Sequence, residues 1–396
     1  MSVTTKETLG IYIHIPFCRS KCDYCDFYSL AGREESMDAY QKALSTHLAE
    51  ASPLASSMRV DTVYFGGGTP SYYGARRLIR LLRLLRWEYR IRWNAEITLE
   101  ANPDSVDVKS LAALRRAGFN RISLGMQSAC DAQLADLHRP HDFAQVRAAV
   151  EAARKARFEN ISLDLIYGLP GQTLSDWQKT LEQAIALAPK HLSCYGLTVE
   201  KGTPLARRVK EGLVLPDDDA QADMYLWTVD RLARAGYEQY EISNFAMPGY
   251  ASRHNLRYWQ LKPYVGFGPG AHSDFGRRRY SFVRNLDRYI GGVTRGDNVI
   301  DFSELIPLTE RGGEYLMLGL RTAHGISAQE YRSNYHMDFA PIEEKLVEYA
   351  HRGWARREGR RWRLTPEGFL ISNRLIVELL RSQKQLSLEA MLSKQP

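Results

Sequence analysis

The chain has 396 residues, of which 44% are hydrophobic, five cysteines and a net charge of +7, with an isoelectric point near 9.0. Its length exceeds what one growing core supports, so a main domain of about 250 residues with an appended one is expected. MSVTTKETLG has no signal-peptide core, no uncharged apolar run reaches a membrane span of about 18 residues, and the odd, clustered cysteines exclude a disulfide framework. These features read as a soluble protein of the reducing cytoplasm, touching a membrane at most peripherally.

The first predicted strand, IYIHI, runs into HIPFCRSKCDYCDF, with Cys18, Cys22 and Cys25. A [4Fe-4S] cube takes four ligands, usually thiolates. Three close cysteines with no fourth point to a cluster with one iron left for another ligand. Tetrahedral zinc is the alternative, but the second ligand pair normal for it does not follow. Cys130 and Cys194 stand alone and read as small buried hydrophobes, and His14 alternates with Ile13 and Ile15 as a strand residue does.

After a helix near 36–50, the strand TVYFGGG ends in Gly66, Gly67, Gly68, Thr69 and Pro70. The run lacks the spacing of a dinucleotide or phosphate loop. It is read either as a tight turn or as a place where backbone approaches a ligand closely. In ARRLIRLLRLLRWEYRIRW, Leu78, Leu81, Leu82 and Leu85 recur at helical spacing opposite Arg76, Arg80 and Arg83. This predicts an amphipathic helix with a solvated basic side; a membrane or nucleic-acid role is the lesser alternative. AEITLEANP precedes a helix near 107–117, RISLGMQ one near 142–157, ISLDLIYGLP one near 173–188, and HLSCYGLTVE one near 217–235. Six β/α units predict a parallel sheet with helices outside. Because nearly every strand ends in polar or glycine residues that would meet on one rim, the expected fold is α/β, a partial (β/α)6 barrel.

Beyond LTERGGEYLMLGLRTAHGIS the pattern turns helical. Trp354 to Arg357 and Arg360 to Leu364 flank a Glu-Gly turn and predict a β-hairpin, hence a C-terminal winged-helix-like α+β domain. The expected boundaries are 1–240 for the core barrel, 241–303 for an extension, 304–383 for the C-terminal domain and 384–396 for a tail. A basic hairpin raises DNA binding as a possibility, though exposed hairpins commonly carry charge.

The cysteine loop, GGGTP and the six units together resemble the radical S-adenosylmethionine superfamily. YIHIPFCRSKCDYCDF, YFGGGTP, LEANPD, RISLGMQS, LDLIYGLPGQT and GFGPGAHS resemble the oxygen-independent coproporphyrinogen III oxidase-like family. The resemblance implies that Cys18, Cys22 and Cys25 ligate a [4Fe-4S] cluster whose open iron binds S-adenosyl-L-methionine, cleaved to a 5′-deoxyadenosyl radical by one electron from a donor. It further implies that Tyr12 and Tyr24 flank the site and that Gly67, Gly68 and Thr69 meet the methionyl amino end. Glu100, Gln127, Arg139 and Asp164 would fix the remaining polar groups.

Two departures stand out. Phe27 occupies the position of a further oxidase cysteine, and only 17 residues precede Cys18. Both resemble the heme-chaperone HemW branch, whose HNxxYW motif is matched by HNLRYW. That branch implies heme as ligand, with His254, Tyr258 and Trp259 as candidate contacts, since imidazole ligates heme iron and aromatic rings line porphyrins. His272, in GAHS, is the competing imidazole. The expected function is binding heme and delivering it to a hemoprotein acceptor, with no catalytic residue assigned. The rivals are coproporphyrinogen III dehydrogenation and a nucleic-acid-binding module.

Overall fold

Polar and apolar residues alternate along six strands of the barrel, and this period of two decides which face becomes the site. The computed structural model describes residues 7–392, with side chains through Gln383. The chain divides into two units, of which the first runs to Tyr225 and adds Ser252–His254 and Lys262–Leu305. Its strands are β1 (Thr8–Ile15), β2 (Arg59–Gly67), β3 (Ile91–Ala101), β4 (Arg121–Gln127), β5 (Asn160–Tyr167) and β6 (His191–Gly196). They lie side by side in sequence order, every pair parallel, as the six-unit reading requires. Beyond β1 the sheet continues through β7 (Tyr264–Phe267), parallel to it, and then through three antiparallel strands ending at Leu305. Among the described residues the strands do not close into a ring.

The register aligns Tyr12, Tyr64, Thr98 and Arg121 in one row, Glu100, Ser123, Ser162 and His191 in the next, and Gly125, Asp164 and Ser193 beyond it. These positions are all polar or glycine. The intervening positions, among them Ile11, Ile13, Val63, Phe65, Leu99, Ile122 and Leu124, are apolar and fully buried. Strands of parallel sheets covered on both faces are usually near-continuous apolar runs. Here one face is given to packing and the other to hydrogen bonding.

The helices begin where side chains cap them. Asp107 and Ser110, Asp142 and Gln145, and Thr173 and Asp176 form reciprocal capping boxes at Val108–Ala117, Phe143–Lys155 and Leu174–Ala186. The Arg/Leu segment is the helix Ala75–Glu88, and its four leucines are 0–1% exposed, each worth about 1.5–3 kcal/mol of burial.

The second unit holds Leu226–Ala251, Asn255–Leu261 and everything from Ile306 onward. Helices Leu308–Gly319, Ala328–Tyr335, Ala340–His351 and Ser372–Leu392 surround a three-stranded antiparallel sheet of Ile326–Ser327, Arg361–Leu364 and Ala355–Glu358. This is the expected winged-helix-like arrangement, its wing turning at Gly359 in the left-handed region. The wing's charge is largely neutralised at short range. Arg356 and Arg363 pair with Glu358, Arg357 with Glu343 and Arg361 with Glu330. The tail expected at 384–396 lies outside the residues whose side chains are described.

Candidate functional site

After β1 the chain makes a two-residue parallel pairing, Phe17–Cys18 with Leu30–Ala31, and the Leu30 N–H donates to the Pro16 carbonyl at 2.7 Å. Cys18 closes the first of these paired segments, and the loop between them carries Cys22 and Cys25. It is pinned on both sides by ion pairs that no motif announced. Arg19 meets the buried Asp104 at 3.0 Å, and Asp23, between Cys22 and Tyr24, bridges His138 at 3.0 Å and Arg208 at 3.1 Å. The only trace of this in the sequence is an acid placed inside KCDYC.

Hydrogen-bond donors point at the sulfurs. Thr69 Oγ1 donates to Cys18 Sγ at 3.4 Å, and Arg139 Nη1 donates to Cys22 Sγ at 3.2 Å and to the Tyr24 hydroxyl at 3.4 Å. Burial pushes the Cys18 and Cys25 thiols up, while bonds from Thr69 to Cys18 and from the Phe27 backbone to Cys25 oppose it. Among the described residues no His, Cys, Asp and Glu side chains converge as a single-ion site. A cluster spreads its thiolates over separate irons and needs no such convergence. The donor set therefore fits a thiolate-bound cluster. Arg139 Nη2 is held by Asn102 Oδ1 at 2.9 Å and the Gly125 carbonyl at 3.1 Å, yet its Nε is buried without a hydrogen-bond partner. A guanidinium N–H in that state suits an added acceptor such as a carboxylate.

The glycine run is explained by close approach of protein to protein. Gly67 has φ +110, and a Cβ there would stand 2.5 Å from the His14 ring; one on Gly68 would stand 2.8 Å from the Ile15 and Phe17 carbonyls. The Gly68 and Thr69 N–H groups donate to those same carbonyls at 2.8 Å. The strand end is thereby sewn to the base of the cysteine loop. His14 is buried within β1, with Nδ1 3.1 Å from the Tyr12 hydroxyl and Nε2 2.8 Å from the Tyr28 carbonyl.

Glu100 accepts from the Tyr64 hydroxyl at 2.7 Å and the Gly67 N–H at 3.1 Å. Tyr12 stacks on Tyr64 with centroids 6.2 Å apart, and burial raises its hydroxyl well above the usual range. Asp164 accepts from Ser193 at 2.7 Å and from Ser123 at 2.9 and 3.0 Å; burial raises its carboxyl, opposed by those serines. Gln127 ends β4 at φ +62, a left-handed conformation costly for a side-chain-bearing residue and enriched at functional sites. Cys18, Cys22, Tyr24, Thr69, Asn102 and Arg139 thus form one hydrogen-bonded group, while Tyr12, Tyr64, Gly67 and Glu100 form an adjoining one.

Burial, aided by the nearby Asp164, pushes the Glu100 carboxyl up from 4.5 to about 7. The folded state therefore keeps this proton where the unfolded chain has released it, so stability falls as pH rises between those values. At pH 8 the group is expected to cost up to about 3 kcal/mol relative to pH 4. Urea unfolding of Glu100→Gln at both pH values checks this: the variant should show a flatter pH dependence than the wild type.

HNLRYW lies on the helix Arg253–Trp259, whose first N–H groups, on Arg253 and His254, donate to Glu96 at 3.1 and 3.0 Å. His254 belongs to the first unit and is fully buried, its Nδ1 2.8 Å from Thr62 Oγ1 and its ring stacked on Tyr64 at 5.2 Å. It sits on β2 four residues before Gly66, away from the cysteine rim. Tyr258 and Trp259 belong to the second unit and are half-buried; His272 is exposed on its strand. The remaining cysteines divide. Cys194 is buried, as expected, but Cys130 is exposed, because it sits at the N-terminal end of the short helix Asp131–Asp136.

Residues 12–184 match the radical SAM superfamily and 306–371 the HemN C-terminal domain. "Heme chaperone HemW" of Lactococcus lactis is 33% identical over 371 residues, covering 93% of this chain and 96% of that one. The Escherichia coli protein of that name is 35% identical, covering 93% and 97%, and the Mycobacterium tuberculosis one 41%, covering 72% and 74%. The fold matches the coproporphyrinogen III oxidase HemN of Escherichia coli with a TM-score of 0.82 at 23% identity, over 94% of this chain and 90% of that one. With a polar barrel face, a pinned three-cysteine loop and this identity along nearly its whole length, the chain belongs to the HemW family of radical SAM proteins.

Proposed function

We propose that this protein binds heme and passes it to hemoprotein acceptors in the cytoplasm. What carries the reading is its identity of 33–41% to proteins named heme chaperones. Phe27 supports it. This ring, two residues past Cys25, is 69% exposed, so an apolar surface stands beside the thiols where the oxidase resemblance leads one to look for another cysteine.

In this proposal Cys18, Cys22 and Cys25 hold the cluster, with Arg139 and Thr69 favouring their thiolate forms. The cluster, when bound, supplies an open iron and a one-electron couple. Arg139, through its unpaired Nε, holds the carboxylate of S-adenosyl-L-methionine, and Gly67, Gly68 and Thr69 meet its amino end. Tyr12, Tyr24, Glu100, Gln127 and Asp164 line the remainder. Tyr258 and Trp259 are the proposed ring contacts for heme; His254 is fully buried against Tyr64, so its ring would have to leave that stack to reach an iron.

The test is a heme titration followed by transfer to an apo-hemoprotein. A saturable Soret shift and transfer faster than from free heme are expected. Conversion of coproporphyrinogen III to protoporphyrinogen IX by the reconstituted protein under anaerobic reducing conditions would overturn the reading.

A further inference from the structure

The two most exposed large hydrophobic side chains of the described residues are both tryptophans, Trp87 at 87% and Trp93 at 95%. They flank the turn from the helix Ala75–Glu88 into β3. Near them Arg83, Arg86, Arg90 and Arg92 are all exposed, with Arg80 and Arg76 continuing the exposed basic side toward the start of the helix, and none of the six makes an ion pair or side-chain hydrogen bond among the described residues. The one acid in this stretch, Glu88, is half-buried and accepts from Ser52 Oγ at 3.1 Å. That bond draws in the 52–55 turn, where Leu54 is 67% exposed. The Val60 N–H donates to the Arg90 carbonyl at 3.0 Å, which sets the turn against the start of β2.

We propose that this end of the first unit docks on an anionic membrane surface, with Trp87 and Trp93 as anchors and the arginines as the electrostatic contact. The helix itself cannot roll into a bilayer, because Leu78, Leu81, Leu82 and Leu85 are committed to the core. Insertion is left to side chains standing off the fold. Indole rings settle at the headgroup level, and clustered arginines draw in acidic lipids. Leu54 favours lipid over nucleic acid, since an aliphatic group gains nothing from a phosphate backbone. The patch sits at the start of β3, and the cysteine rim gathers at its end near Asn102. Eight residues of strand, about 25 Å, separate Trp93 from Ala101, so docking leaves the rim open to partners. This surface is independent of the heme reading.

The experiment is flotation of the full-length protein with vesicles of phosphatidylcholine alone or mixed with phosphatidylglycerol, with indole fluorescence recorded in parallel. The protein should float with the mixed vesicles only, lose affinity as salt rises, and shift its emission to the blue. W87A/W93A should weaken binding about tenfold, and Arg83→Glu and Arg90→Glu about fivefold each, with melting temperatures unchanged because all four residues are exposed. Failure to float with either vesicle overturns the proposal. So does binding indifferent to W87A/W93A, or release by duplex DNA at concentrations that saturate the same tryptophan-dependent surface.

Discussion

Cys25→Ser is expected to abolish assembly of the cluster while leaving the apo-fold intact. Serine keeps the side chain's size but does not ionise to a soft anionic ligand, and a site with two thiolates has too few for the cube. Cys25 is only partly buried and belongs to a loop held by its own ion pairs, Arg19 with Asp104 and Asp23 with Arg208. Urea unfolding without iron should therefore change by no more than about 0.5 kcal/mol. After anaerobic reconstitution, bound iron and sulfide and the visible absorption of the cluster should be lost. Cys194→Ser makes the contrasting control. That residue is buried, so a hydroxyl there should cost about 1–3 kcal/mol yet leave iron binding at the wild-type level. Cys130→Ser, at an exposed position, should be silent in both measurements.

His254→Ala is expected to destabilise the first unit by about 2–4 kcal/mol, through lost packing against Tyr64 and a lost bond to Thr62. The ring is fully buried and its partners are fixed by β2. Tyr64 in turn donates to Glu100, so the loss should reach the rim. S-adenosyl-L-methionine affinity, measured by equilibrium dialysis, should fall even though Thr62 and Tyr64 are not among the residues proposed to bind it. Thr62→Val separates this role from iron ligation. Releasing Nδ1 from Thr62 should cost about 1 kcal/mol and leave the Soret band of the heme complex unchanged. A stronger or shifted Soret band in that variant would mean that the imidazole competes between Thr62 and heme iron.

Much of the molecule was legible in the order of its residues. RISLGMQ is β4 from end to end, and the helix starts fell within a residue of expectation because Asp107, Asp142 and Thr173 cap them locally. Alternation along the strands, four leucines at helical spacing and C-x3-C-x2-C are patterns written within a turn or a few residues of chain. The glycine run reads as a tight turn or a close approach to a ligand, and neither reading points to His14 and the loop carbonyls that it meets. HNLRYW was legible as a motif, yet nothing in it told that the His254 ring is engaged by β2.

The sequence by itself thus determined the β/α order, the packing face of each element and the three thiols. Tertiary structure alone decided what surrounds them. Arg139 reaches Cys22 across 117 residues, Arg208 reaches Asp23 across 185 and His254 reaches Thr62 across 192. Spacing encodes periodicity along one element. A side-chain hydrogen bond depends instead on where two distant segments are set down by the burial of their apolar faces, and that is a property of the folded core.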